Sequence, residues 1–227
     1  MLLIEAIDKA RALLNEELDQ TRAFPDNTSS FWKDSTLIKY YNMVQEEVQN
    51  LMVQSFEDYF VTQTFLNITD GCAGYQIPSG TIKIRRVEDA RDANPVEIKP
   101  VTINNKGVVS SELGSSIAIG GGGYYLKGTQ LVLTDTPAYT NASAIQVYYV
   151  KRLIDVTASD GESEIPNEYH NVFVYGIYRL ALIQEQADPM FATIEYDKQM
   201  NKIKSYCEDR QVQRPRRVKS IYGDVDY

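Results

Sequence analysis

Ile145-Gln146-Val147-Tyr148-Tyr149-Val150 decides the fold. Its β-branched and aromatic residues read as a strand. Working backwards, further strand-like runs are Gln130-Leu131-Val132-Leu133, Gly123-Tyr124-Tyr125-Leu126, Val96-Glu97-Ile98-Lys99-Pro100-Val101 and Thr81-Ile82-Lys83-Ile84-Arg85. The turn Lys127-Gly128-Thr129 joins two of them into a hairpin. Most of the glycines fall between about Phe65 and Asp155. Short strands with frequent turn signals predict a small antiparallel sandwich or barrel-like domain.

On either side the period changes from strand to helix. Leu3, Ile7, Ala10, Leu14 and Leu18 mark one helical face, which runs to the breaker cluster Phe24-Pro25-Asp26-Asn27. Asp34 or Ser35 is placed to cap a second helix. Its stripe is Leu37, Tyr40, Tyr41, Val44, Val48, Leu51, Met52, Ser55, Phe56 and Tyr59, and the spacing predicts about 25 residues of helix. Helical spacing returns at Ile165-Pro166 and is apolar almost all round through Tyr169, Val172, Phe173, Tyr175, Tyr178, Leu180 and Ile183, as in a helix buried on most sides. Asp188-Pro189 breaks it, and Phe191, Ile194, Met200, Ile203 and Tyr206 carry a last helix to about Asp209. The expected fold is therefore α+β. Residues 1–65 and 156–209 form a helical bundle, 66–155 an inserted β-rich domain, and 210–227 an extended arm.

Charge sets the arm apart. The chain of 227 residues carries a net charge of −8, and residues 1–66 hold five basic against eleven acidic side chains. Arg210, Arg214, Arg216, Arg217 and Lys219 crowd ten positions around Pro215, and only Asp224 and Asp226 oppose them. An acidic chain is a poor general binder of phosphate. The arm has no period on which to fold alone, yet carries Val218, Ile221, Tyr222, Val225 and Tyr227. It reads as a segment that orders on a partner. The 16 tyrosines suit half-buried subunit interfaces, or simply strands.

No reacting constellation emerges. His170 is the sole histidine and sits at a helix start, where a structural role fits. The glycine run 119–124 precedes a strand and lacks the Lys-Thr of a phosphate loop. Asp155, Asp160, Glu162 and Glu164 lack calcium-loop spacing. Cys72 and Cys207 are far apart and in no metal-binding pattern, and read as free thiols. Glu5 interrupts the first apolar run, which is not a signal peptide, and no stretch approaches a membrane span. The expectation is a protein without catalysis, cofactor or metal.

Several ordered motifs carry a resemblance. They are Phe31-Trp32-Lys33-Asp34 before the long helix, Tyr75-Gln76-Ile77-Pro78, the hairpin from Gly123 to Leu133, Ile165-Pro166-Asn167-Glu168-Tyr169, and the Arg-rich arm. Together the chain resembles the head-to-tail adaptor (connector) proteins of short-tailed bacteriophages. The resemblance implies a subunit of a dodecameric ring in the virion, assembled in the bacterial host cytoplasm. The bundle would build the ring, and the β insertion would face outward or toward tail nozzle, tube or fibre-docking proteins. The arm would dock on the portal protein through Arg210, Arg214, Arg216, Arg217, Lys219 and Tyr222. DNA would pass through a channel whose acidic wall repels phosphate. Other readings are a nozzle, tail-tube or head-completion subunit, a carbohydrate-binding β module using Tyr139, Tyr148 and Tyr149, and nucleic-acid binding by the arm.

Overall fold

The computed structural model describes residues 1–16, 24–25, 31–92, 94–103 and 123–211. It is an α+β protein in two compact units: Met1–Glu57 with the chain from Leu153 onward, and Asp58–Arg152.

In the first unit α1 (Leu3–Leu13) buries Leu3, Ala6, Ile7 and Ala10, the face its spacing predicts. It ends earlier than the apolar pattern suggests. Asn15 takes a left-handed conformation (φ 57°), and the Asn15 and Glu16 amides donate back to the Ala12 and Arg11 carbonyls. This is a Schellman stop with asparagine in the usual glycine position. Leu18 lies outside the described residues. At the other end Glu5 accepts the Leu2 amide at 3.1 Å, half of a capping box.

Helix α2 (Asp34–Ser55) buries Leu37, Tyr41, Val44, Val48 and Met52 along one stripe. Its N-cap is Lys33, so Asp34 is the first helical residue rather than the cap. Asp34 is instead fully buried against Arg11, 2.7 Å away. The Arg11 guanidinium also donates to Glu16 and to the Trp32 carbonyl, tying the end of α1 to the start of α2. The helix stops at Ser55, short of Phe56 and Tyr59 in the expected stripe. Phe56 is already extended (φ −144°, ψ 89°), and the alternating chain that follows is better suited to a strand.

A 3₁₀ turn, Asn167–Tyr169, precedes α3 (Asn171–Gln184), and α4 (Met190–Gln211) follows. Pro166 caps the 3₁₀ turn rather than opening the α-helix. Helix α3 packs on α1, α2 and α4, which explains its near-continuous apolar surface. Phe173 stacks on Tyr41 with ring centroids 4.2 Å apart. At Gly176 the helices meet so closely that a Cβ would lie 2.4 Å from Val44 Cγ2. Helix α3 ends as α1 does, with Gln186 left-handed (φ 58°). Asp188 then accepts the Met190 amide at 2.9 Å and starts α4.

The polar side of α2 is also used. Asn42, Gln45 and Gln49 face the returning chain. Asn42 pairs with both backbone groups of Val156 (2.9 and 3.1 Å), Gln45 donates to the Ile154 carbonyl (3.0 Å), and Gln49 accepts the Leu153 amide (3.1 Å). These amides satisfy backbone groups of the returning chain, among them the buried Leu153 amide, which would otherwise be unpaired.

The second unit is one seven-stranded sheet in the order β1-β7-β3-β4-β5-β6-β2. The strands are β1 (Val61–Ile68), β2 (Gly74–Gln76), β3 (Thr81–Asp89), β4 (Val96–Pro100), β5 (Gly123–Lys127), β6 (Gln130–Leu133) and β7 (Asn141–Lys151). The outermost strands β1 and β2 are joined by a short turn, and their Ile68 and Tyr75 share one core with Val87, Ile98, Leu131, Leu133, Ile145 and Val147. The sheet therefore curls into a nearly closed, barrel-like form. Two register shifts in the β3–β7 pairing mark the bulges that accompany such curvature.

The β5–β6 hairpin turns at Gly128 (φ 59°), as its sequence predicts. Two features differ from expectation. Strand β1 begins at Val61, inside the stretch assigned to the helical part. The β4–β5 pair is parallel rather than antiparallel, and residues 101–122 between them exceed the dozen or so a parallel crossover needs.

Candidate functional site

Of the six arm residues singled out by the sequence, the structure describes Arg210; Arg214, Arg216, Arg217, Lys219 and Tyr222 lie outside the described residues. Arg210 is exposed in the last turn of α4, where a cation is favoured by the helix dipole. Its guanidinium lies over the Tyr206 ring, 4.6 Å from the centroid. Tyr206 in turn tilts against Tyr169, 5.1 Å between centroids. Partial burial raises the Tyr169 phenol above its ordinary pKa, so it stays protonated.

This aromatic pair lines an open groove of about 700 Å³ along α4, together with Lys198, Asn201, Lys202, Ser205 and, beyond Tyr206, Asp209. Lys198, Lys202, Tyr206 and Arg210 recur every fourth position and form one stripe, with the three cations exposed and Tyr206 half-buried. Lys198 also pairs with Glu195 at 2.5 Å, and Lys202 donates to Gln199 Oε1 at 3.4 Å. The opposite side of α4 is its buried face, made by Ala192, Tyr196, Ile203 and Cys207. Burial raises the Cys207 thiol pKa, which keeps it protonated and unreactive. Sequence reasoning placed the arm but passed over the two lysines and Tyr169. The four-residue spacing of Lys198, Lys202, Tyr206 and Arg210 was the available signal.

Other residues weighed for chemistry have structural settings. His170 is buried, and Nε2 lies 2.6 Å from the Ile165 carbonyl, so Nε2 carries a proton and donates there. Nδ1 faces the Met1 ammonium at 3.0 Å, and Glu162 takes that ammonium at 2.5 Å. Burial lowers the His170 pKa, and the imidazole is neutral. Gly123 opens β5 where a Cβ would press on Thr134 and Val101 at 3.0 and 3.2 Å; the rest of the glycine run lies outside the described residues. Among the described residues no group of three or more His, Cys, Asp or Glu side chains is placed to hold a metal, and no helix is long and apolar enough to cross a membrane.

The three tyrosines of the carbohydrate reading do not converge. Tyr139 and Tyr149 pack against the sheet core, and Tyr148, as the strand neighbour of Tyr149, projects from the other face. Arg91 covers the Tyr139 ring at 5.2 Å and clamps buried Asp89 through Nε and Nη2, at 2.9 and 2.7 Å.

No curated protein matches the chain in sequence. The family model for the SU10 adaptor protein matches residues 1–219, which span both units and the basic part of the arm. The chain thus belongs to the SU10 adaptor protein family, a family of phage head-to-tail adaptors, and is a structural protein of the virion rather than a member of a known enzyme class.

Proposed function

We propose that this protein is the subunit of a ring, twelve-membered as in the family it resembles, that docks on the portal protein and links the capsid to the tail. The four helices make the body of the ring, the β unit meets tail nozzle, tube or fibre-docking proteins, and DNA passes through the centre without sequence-specific binding. The basic arm beginning at Arg210 is the portal-docking element, with Arg214, Arg216, Arg217, Lys219 and Tyr222 as its contacts. Arginines bind carboxylates bidentately and desolvate easily, which suits an acidic protein surface.

The observation that carries this reading is the position of the arm. In sequence it follows α4 and holds five basic against two acidic side chains in a chain of net charge −8, inside a family match that continues to residue 219. Assembly takes place in the bacterial host cytoplasm. Mixing the chain with purified portal and imaging the product by electron microscopy tests the proposal. Ring-capped portals are expected with the full chain and bare portals after deletion of residues 210–227. Capping that survives the deletion would remove the docking role from the arm. A nozzle or tail-tube subunit would leave portals bare in both cases.

A further inference from the structure

The helical unit leaves an apolar face uncovered. Phe31 is 79% exposed and stands edge-on to Trp32, 5.6 Å between ring centroids. Trp32 tilts against Tyr40 and donates from Nε1 to Glu185 at 3.1 Å, and the Tyr40 hydroxyl bonds to the Gln184 side chain. Ile183, next to Gln184, is exposed, as is Met43, three residues along α2 from Tyr40. Helices α3 and α4 run antiparallel, with Tyr169 beside Tyr206 and Arg179 beside Tyr196. One turn further on, Ile183 lies beside the first turn of α4, which exposes Met190 and Phe191. Phe31, Met43, Ile183, Met190 and Phe191, each of roughly 200 Å² and about half to four-fifths exposed, leave on the order of 600 Å² of apolar surface. That is most of the ~800 Å² that each partner gives to a standard interface.

The other side of α2 carries a complementary surface. Gln45 lies about 200° around the helix from Met43, and it donates to the Ile154 carbonyl. The segment it holds bounds a cavity of about 280 Å³, whose walls include Ile154, Asp155, Val156 and Gly161. Ile154 is 83% exposed there. The cavity falls below the range of about 300–1,000 Å³ for small-molecule sites, and suits a side chain better than a free ligand. Charge is complementary as well. Lys33 and Lys39 flank Phe31 and Met43 and meet no carboxylate among the described residues, while Asp155 meets no cation among them. Acids on the apolar face are already engaged, Glu47 by Arg179 and Tyr196, and Glu185 by Trp32.

We propose that these two surfaces meet between copies of this chain. The apolar face of one subunit seats on the 153–164 surface of the next, with Phe31 against Ile154 and Lys33 and Lys39 toward Asp155. Apolar burial drives the contact and the charges orient it. The surfaces lie on different sides of α2, so the contact is head-to-tail and propagates until its rotation closes a ring. It gives contact residues to the ring proposed above and rests on that reading for its closure.

The test uses the full chain with Phe31→p-benzoylphenylalanine, prepared as an equal mixture of ¹⁴N- and ¹⁵N-labelled protein. It is irradiated both concentrated and bound to purified portal. Mixed-isotope crosslinks from position 31 to the peptide spanning 153–164 are expected. Ile154→Glu lowers their yield about tenfold, the effect of losing a central interface contact. Because Ile154 faces solvent, the melting temperature stays that of the parent, which separates loss of contact from loss of fold. Crosslinks to 153–164 of single isotope only would place the contact within one chain and overturn the proposal. Mixed-isotope crosslinks that fall on α3 or α4 instead would mark a face-to-face dimer and overturn it too, as would no crosslink in either state or a yield that Ile154→Glu leaves unchanged. Capped portals without these crosslinks sink this interface and leave the portal reading standing. Crosslinks in the concentrated chain beside bare portals do the reverse.

Discussion

Gly176 on α3 offers the sharpest test of how the helices are packed. A Cβ built there lies 2.4 Å from Val44 Cγ2, 2.9 Å from Val44 Cγ1 and 3.1 Å from Tyr196 Cε2. Comfortable carbon–carbon contact begins near ~3.5 Å, so Gly176→Ala demands a displacement of about 1 Å. Val44 is fully buried and β-branched, and a helix leaves it essentially one rotamer. The strain therefore cannot be relieved by a side-chain swing, and α2 and α3 must separate. Overpacking of this kind costs about 1–3 kcal/mol. The helix propensity of alanine over glycine returns about 1 kcal/mol. With no rotamer to relieve the strain the upper part of that range applies, so the expected net loss is about 1–2 kcal/mol, seen in a chain of this size as a Tm lowered by roughly 2–8 °C. The assay is urea and thermal unfolding followed by circular dichroism at 222 nm.

Val44→Ala alone should also destabilise, because it opens a cavity. In the double variant the new methyl enters the space vacated by Val44, so the combined loss should fall short of the sum by at least about 1 kcal/mol. A Gly176→Ala protein as stable as the parent, or a strictly additive double variant, would refute the close approach of α2 and α3.

Arg11→Met strips the guanidinium from the buried Asp34 carboxylate and should cost about 3–5 kcal/mol, whereas exchanging both partners for apolar residues should cost clearly less; chemical denaturation distinguishes the two. Burial lowers the His170 pKa, so the unfolded chain takes up its proton first, near the ordinary value of 6.5; stability is full above that pH and declines as pH falls below it. Met1 and Glu162 also face this ring, so the comparison is with His170→Gln, whose stability should vary less between pH 7 and pH 5. Charge reversal of Arg214, Arg216, Arg217 and Lys219 together should abolish portal capping while leaving helix content unchanged. Asn42→Ala removes both bonds to Val156 and should cost about 1–3 kcal/mol, with amide exchange quickened at Val156 ahead of the helix core.

The order of elements was legible in the sequence because apolar spacing is a local record of burial. Leu3, Ile7 and Ala10, then Leu37, Tyr41, Val44 and Val48, sit in the core their periods announced. Gly128 announced its hairpin because a tight turn of that hand needs a residue free to take positive φ. The basic arm was legible for a similar reason, since charge density needs no structure to be counted. Reading by family resemblance went further than the residues alone and is matched by the SU10 adaptor assignment.

The rest depended on partners remote in the chain. No glycine marks the stops at Asn15 and Gln186, the residue that such stops usually carry, and only the second had a neighbouring signal, Asp188-Pro189. Val61–Ile68 became a strand because β7 lies beside it, and the curl of the sheet brings its Ile68 to Tyr75 across the core. Asn42, Gln45 and Gln49 look like solvent-facing polar positions until the chain at 153–156 returns to take their amides. The groove on α4 likewise exists only because Tyr169, from the preceding turn, leans on Tyr206. The sequence by itself determined the apolar faces of α1 and α2 and where the charge lies, since both follow from side-chain chemistry over a few neighbours; it did not determine all burial, for Gln45 and Gln49 are buried while Ile183, Phe191 and Ile194 stand exposed. Which backbone pairs with which, where helices end, and what the lysines of α4 face were decided by tertiary contact, because these depend on groups brought together only when the chain folds.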